Sequence, residues 1–407
     1  MIDIDSIRAE FPQLSQQVYG RPLVYLDNAA TSLRPQSVID KWDEVSSQYT
    51  ANLHRAVHAL AGRATDEFEA AREAVRAFIG AADRSQVIFT SGVTHSLNLV
   101  ASSFGRAFLK EGDEVLVTEA EHHSNLIPWQ IACRQAGATL KAVRVLDDGR
   151  LDLDHLRQLL GSGRVRMVCV THISNVLGLV NPVAEIVRIC HDAGAYALID
   201  GAQGIVHEAV DVQALDCDFY AFSGHKMYAA PGTGVLYGKL ELLEQMPPYM
   251  GGGEMIGTAT LQDFTCAPLP YKFEAGTQNI SGVPTFVPAI AFLQKIRLGG
   301  IASAEKDVIS YMLCELRGID GLTLLGDVAD AKVPLFSFVV RGAHHEDLAL
   351  IQDKMGVAVR SGEMCAAPLM QRFGVTGMLR ASFAPYNTMA EAEYFVSSLR
   401  RAIEMLR

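Results

Sequence analysis

Between residues 66 and 270 the chain switches repeatedly between two spacings of its hydrophobic positions. TDEFEAAREAVRAFIG repeats apolar residues every three to four positions, the spacing of one helix face, with Thr65 or Asp66 read as its cap and Gly80 as its stop. QVIFT, EVLVTE, KAVRVL, RMVCVT, YALID, DFYAF and GVLYG are instead short apolar or β-branched runs, five of them continuous enough for strands covered on both faces of a parallel sheet. SNLIPWQIACRQAG and PVAEIVRICHDAG fill the gaps as helices that end at glycine. This alternation predicts an α/β domain over residues 60–270, its ligands gathered at the carboxyl ends of the strands.

Beyond residue 300 the rhythm changes to a helix (SAEKDVISYMLCELRG), strands (PLFSFVVR, VAVR, LRASF) and a final amphipathic helix (TMAEAEYFVSSLRRAIEML). That predicts a smaller α+β domain over 301–407. Residues 1–60 are expected to pack with it, because chain ends often lie close together. Residues 271–300 are left as a linker and a contact segment for a second subunit.

Composition narrows the class of protein. The 407 residues are 49% hydrophobic, enough for a large core, and the net charge of −11, spread without blocks, opposes nonspecific nucleic-acid binding. MIDIDSIRAEFPQL has neither the basic start nor the apolar stretch of a signal peptide, so neither a membrane nor nucleic acid is expected as a partner and the cytoplasm is the expected compartment. The seven cysteines form no CxxC and do not cluster with histidines, which disfavours a metal site or a disulfide framework. Most lie in apolar runs; Cys365, in RSGEMCAAPLM, stands alone in a segment with loop chemistry.

The strongest chemical signal is FSGHKMYAAPGTGVLYG. Lys226 follows a buried strand, where its pKa is depressed and its neutral amine can form a Schiff base with an aldehyde cofactor. Pyridoxal phosphate also needs an acid against the pyridine nitrogen, a ring over its face and a phosphate cup at a helix N-terminus. ALIDGAQG puts Asp200 at the end of an apolar strand, with Gln203 three residues on. EAEHHSN puts His122 and His123 after another strand, where either could stack. TSGVTHS opens a helix whose amides, from Gly92 to Thr94, make an anion cup.

YLDNAATSLRP, NLHRAVHAL, EAEHHSNLIPW, HISNVLG, DGAQG, DFYAFSGHKMY, GGGEMI, FEAGTQNISG and LRASFAPYNT together make nearly the whole chain resemble the cysteine desulfurases of the SufS type. These are the second group of that family, pyridoxal 5'-phosphate enzymes of aminotransferase fold type I within the class V aminotransferases. The resemblance implies a large domain with a mostly parallel seven-stranded sheet and a small domain that carries a catalytic cysteine loop. It implies that Lys226 holds the cofactor, Asp200 pairs with its ring nitrogen, His123 stacks on the ring, and Gln203 and Asn175 hold ring substituents. Thr94, Ser223 and His225 would bind the phosphate, with Thr277 reaching across from a second subunit. Arg380 would grip the substrate carboxylate, with Asn175, His54 and Arg55 beside the substrate, and Cys365 would take its sulfur.

On this likeness the reaction is L-cysteine to L-alanine, with a persulfide on Cys365 passed to a SufE- or SufU-like acceptor for iron–sulfur cluster assembly, in a homodimer. The rival within the same fold is a selenocysteine lyase or a cysteine-sulfinate or other β-eliminating lyase, in which Cys365 is dispensable. The family usually writes histidine just before the nucleophile; Glu363 and Met364 stand there instead. Either Met364 deprives Cys365 of a proton acceptor, or both side chains point to solvent from a mobile loop.

Overall fold

The computed structural model describes residues 3–407. All seven apolar runs pair into one sheet: β1 (Val87–Thr90), β2 (Glu114–Thr118), β3 (Thr139–Val143), β4 (Val165–Thr171), β5 (Tyr196–Asp200), β6 (Phe219–Ser223) and β7 (Gly234–Gly238), in the order β1-β7-β6-β5-β4-β2-β3. From β3 through β6 every pairing is parallel; β7 runs antiparallel to both β6 and β1. The continuous runs follow from burial on both faces. In β5, Ala197 and Ile199 enter one hydrophobic core while Leu198, between them, enters the other.

The first helix of this domain starts earlier than its sequence suggested. It spans Ala59–Phe78, and its cap is His58, whose ring accepts the Ala61 N–H, in place of Thr65 or Asp66. The three residues after the cap have no intrahelical acceptor, and an imidazole nitrogen serves one of them as a hydroxyl would.

The second sheet holds β8 (Leu322–Leu325), β9 (Leu335–Val340), β10 (Arg360–Gly362) and β11 (Met378–Ser382), antiparallel in the order β8-β9-β11-β10. VAVR divides: Val357–Ala358 pairs in parallel with Val24–Tyr25, and only Arg360 continues into β10. Val24 and Leu26 thereby join the core under this sheet. The helix Gln36–Gln48 leans the other way, against the helix Phe286–Leu298, which itself packs on Ala59–Phe78. The closing helix, Met389–Leu406, starts at a capping box of Thr388 and Glu391.

One buried ion pair ties β1 to the FEAG segment. Arg72, fully buried, donates to Glu274 at 2.7 and 2.9 Å and to the Val87 carbonyl at 2.8 Å, and Glu274 also accepts the Phe89 N–H at 2.7 Å. Glu69 also accepts from Arg72, at 3.0 and 3.3 Å, so removing Glu274 leaves the guanidinium one acid but takes the acceptor from two of its buried N–H groups and from Phe89. Glu274→Ala is expected to cost about 1–3 kcal/mol in chemical denaturation, the cost of buried donors left without an acceptor, whereas an exposed pair such as Arg188–Asp192 (65% and 67% exposed side chains) should cost under ~1 kcal/mol.

Candidate active site

Four strand ends lead into one cavity, and a fifth, that of β5, ends close to its lysine. β1 stops at Thr90 and leads into the helix Val93–Phe108; β2 leads to His122; β4 to Asn175; β5 ends on Asp200; and β6 ends on Ser223, three residues before Lys226. The cavity has a volume of about 300 Å³ and is lined on this side by Thr94, His122, Asn175, Ser223, His225 and Lys226. The small domain closes it with Arg360, Met364, Cys365 and Arg380.

Close to Lys226, Asp200 is buried, and its carboxyl group has one hydrogen bond within the described residues, from the Ala202 N–H at 2.9 Å. Burial raises its pKa, opposed by the nearby Lys226 amine. Lys226 lies deep among protein atoms and meets solvent through the cavity it lines; its Nζ makes no hydrogen bond within the described residues. Desolvation pushes its pKa down, with Asp200 pulling the other way. A buried carboxylate with one hydrogen bond and a neighbouring amine with none are suited to a group that brings a cationic nitrogen and an aldehyde.

The opposite end offers backbone donors. Gly92 (φ +148°) opens the helix Val93–Phe108, and the Ser223 hydroxyl accepts the Val93 N–H at 2.8 Å. Gly234 lets β7 come this close, because a Cβ there would lie 2.4 Å from the Gly92 Cα. Thr94 bonds Ser124 at 2.8 Å, and His225 Nδ1 lies 3.2 Å from the Thr31 hydroxyl. The N-terminus of a sixteen-residue helix with hydroxyls around it is an anion site. The chain thus fits pyridoxal 5'-phosphate at both ends.

The adjacent histidines separate. His122 lines the cavity, and its Nδ1 accepts the Ser124 N–H at 3.1 Å, which leaves the other ring nitrogen to carry the proton. His123 lies behind the nucleophile loop: its N–H donates to the Cys365 carbonyl at 2.7 Å and its Nε2 accepts the Ala367 N–H at 3.1 Å. The sequence pointed to His123 for the cofactor face, but of the two rings it is His122 that lines the cavity; in a tight turn, successive side chains point to different sides.

The Cys365 loop is fastened. Met364 and Cys365 both hold left-handed backbone (φ 53° and 56°), uncommon for residues with a Cβ. Asn175 Nδ2 donates to the Met364 carbonyl at 2.9 Å. Met364 is buried and Glu363 exposed, so the picture of both side chains in solvent fails for Met364. Arg380, 2% exposed, donates to the Asn175 carbonyl at 2.8 Å and to Asp27 at 3.0 Å, while its Nε has no partner within the described residues.

Gln203 donates to the Ala29 carbonyl at 2.7 Å and lines a smaller space beside Lys226. His54, Arg55 and Thr277 do not line the cavity of their own chain; His54 bonds Glu69 at 3.0 Å and Arg55 meets Glu254 at 3.4 Å. Asp27 and Arg360 were not singled out from sequence. YLDNAAT carried the signal for Asp27, an acid ending a short strand, and RSG that for Arg360. Among the described residues no His, Cys, Asp and Glu cluster could hold a metal ion, and no helix is long and apolar enough to cross a membrane.

A fold of this kind, with an amine, an acid and an anion cup at its strand ends, defines a pyridoxal-phosphate enzyme, and residues 24–395 match the family model "Aminotransferase class-V". The chain belongs to that family, and its full-length relatives lie among the cysteine desulfurases. It is 44% identical to the cysteine desulfurase of Dickeya dadantii, covering 99% of this chain and 97% of that one. Among solved structures, the cysteine desulfurase CsdA of Escherichia coli matches with a TM-score of 0.91 and 38% identity over all of both chains. That of Thermococcus onnurineus matches with 0.91 and 36% over 97% and 99%. These relatives share the name cysteine desulfurase, a wider group than the SufS type alone.

Three histidines, one buried and two half-buried, set an acid limit. Burial pushes His122, His172 and His225 each down to about 4, below the ordinary value of about 6.5. The unfolded chain therefore binds more protons between these values, and stability is present above pH ~6.5 and lost as pH falls toward ~4. Cofactor-free protein should show this slope in denaturation midpoints. His172→Gln, which removes a ring bonded to the Tyr220 hydroxyl at 2.9 Å, should reduce the slope by up to about one proton.

Proposed function

We propose that this chain converts L-cysteine to L-alanine and holds the abstracted sulfur as a persulfide on Cys365. The observation that carries this reading is the meeting, in one cavity, of Lys226 from the large domain with Arg380 and Cys365 from the small one. Pyridoxal 5'-phosphate, when bound, supplies an aldehyde for amines and a ring that withdraws electrons. Lys226, with its lowered pKa, holds the cofactor and moves the proton at the substrate Cα. Asp200 favours a protonated ring nitrogen, which relieves its own burial. His122, neutral at working pH, would cover the ring, and Asn175 and Gln203 would hold its substituents.

Thr94, Ser223 and His225 would hold the phosphate. Arg380 takes the substrate carboxylate with donors already aimed by Asp27 and Asn175. Cys365 Sγ, as thiolate, bonds to the substrate sulfur while the Cβ–S bond breaks; the electron pair stays with carbon and is quenched by a proton, giving alanine. The exposed position of Cys365 suits delivery to a SufE- or SufU-like acceptor. Seven free cysteines suit a reducing compartment, the cytoplasm.

The working unit is a homodimer in which Thr277, and His54 with Arg55, serve the partner's cavity. Its support is the exposed apolar surface nearby: Val57 and Leu60 beside His54, Leu261 and Phe264 on the hairpin Ile256–Cys266. The domain limits follow the same logic, with residues 60–270 carrying the cofactor and 301–407 the nucleophile.

Two variants test the assignment. Lys226→Ala should abolish the Schiff-base absorption and fixation of cofactor by borohydride; a reducible adduct through another lysine would refute it. Cys365→Ser should keep the cofactor spectrum and its change on adding cysteine, yet lose alanine formation by about a hundredfold or more, as when a nucleophile is removed. Undiminished turnover of cysteine would point to a lyase.

A further inference from the structure

The turn Ser174–Gly178 reaches out of the large domain, and the small domain captures its carbonyls one after another. The Asn175 oxygen accepts Arg380 at 2.8 Å, the Val176 oxygen accepts the Ser337 hydroxyl, the Leu177 oxygen accepts Lys332 Nζ at 2.6 Å, and the Gly178 oxygen accepts the Val333 N–H at 2.9 Å. Lys332 is 8% exposed and gives its second bond to the Gly326 carbonyl at 3.0 Å. The nearest acid, Asp327, is engaged by Arg317 at 2.7 Å. A long cationic side chain is thus held in a dry site by two carbonyls and the face of Phe336, 5.5 Å away.

A buried lysine without a carboxylate partner is costly unless its geometry is used. The turn it grips carries Asn175, which aims Arg380 through its carbonyl and fastens the Cys365 loop through its amide. We propose that Lys332 is a positioning residue for the reaction: by clamping Leu177 it fixes Asn175, and through Asn175 it sets both the carboxylate-binding Arg380 and the left-handed backbone at Met364 and Cys365. Burial pushes the Lys332 amine down to about 7, and charged or neutral it retains the two N–H donors that the two carbonyls need. The kinetic part of this inference rests on the roles given above to Arg380 and Cys365; the structural part does not.

Hydrogen exchange in the cofactor-free protein tests it. Lys332→Met should speed exchange in residues 174–180 and 363–367 by about tenfold or more, the factor for losing a hydrogen bond to a charged group. The helix Ala59–Phe78 should exchange as in the wild type, and Lys332→Arg, which keeps the donors, should restore both segments. In the loaded enzyme KM for cysteine should rise by a similar factor with a smaller change in kcat.

Gly326→Ala perturbs the same contact independently, since a Cβ there would lie 2.9 Å from Leu177 Cβ and 3.2 Å from its oxygen. It should loosen the same two segments, and it decides the matter if Lys332→Met does not fold. Unchanged exchange at both segments, or acceleration spread evenly over the chain, would overturn the proposal. A wild-type protein that makes no alanine would refute the assigned activity and leave the exchange result to judge Lys332.

Discussion

The site depends on an acid and an amine that protein folding alone leaves unsatisfied. Asp200 ends β5 inside the domain, and Lys226 follows the neighbouring strand, with one backbone N–H between them as hydrogen-bond partner within the described residues. Burial favours the uncharged form of each, and their mutual attraction opposes it. A cofactor that meets the acid with a cationic nitrogen and the amine with an aldehyde relieves both. The sheet fixes their separation rigidly, because β4, β5 and β6 pair in parallel and are buried on both faces.

The other half of the chemistry belongs to a second core. Arg380 lies in the middle of β11, and Cys365 just beyond β10, so substrate grip and nucleophile move as one body with the small sheet. Contacts across the junction are made by main-chain oxygens more than by side-chain pairs: the carbonyls of Asn175, Leu177, Met364 and Cys365 each find a donor on the opposite side. Backbone groups have one fixed reach, which makes them better rulers than flexible ion pairs.

Much of this was legible because burial on two faces writes itself as unbroken apolar runs. The five continuous runs among the large-domain strands were visible for that reason, as were helices with glycine stops or a capping box, whereas β3 is exposed or half-covered at four of its five positions. β8 escaped because Leu322–Leu325 is only partly covered and too short to show a period. The early start of the helix at Ala59 escaped because its cap is a histidine, outside the residues that usually signal one. The order of cup, histidine, Asp200 and Lys226 pointed to the cofactor, yet two identical side chains at 122 and 123 differ only in which way a turn faces, and composition carries nothing about that. His54, Arg55 and Thr277 were named from resemblance, and a single chain does not bring them to its own cavity. Lys332 gave no sign at all: in DAKVPLF it reads as a surface lysine, and only the turn it grips, 155 residues away, accounts for its burial.

The central claim is that sulfur leaves cysteine onto one particular thiol. Purified holoenzyme given L-cysteine without an acceptor, trapped with an alkylating reagent and digested, should carry one additional sulfur atom on the peptide containing Cys365, in amount equal to the alanine formed in the first turnover. Alanine formed with free sulfide while Cys365 gains no sulfur, or extra sulfur on Cys266 or Cys314 in its place, would contradict the account.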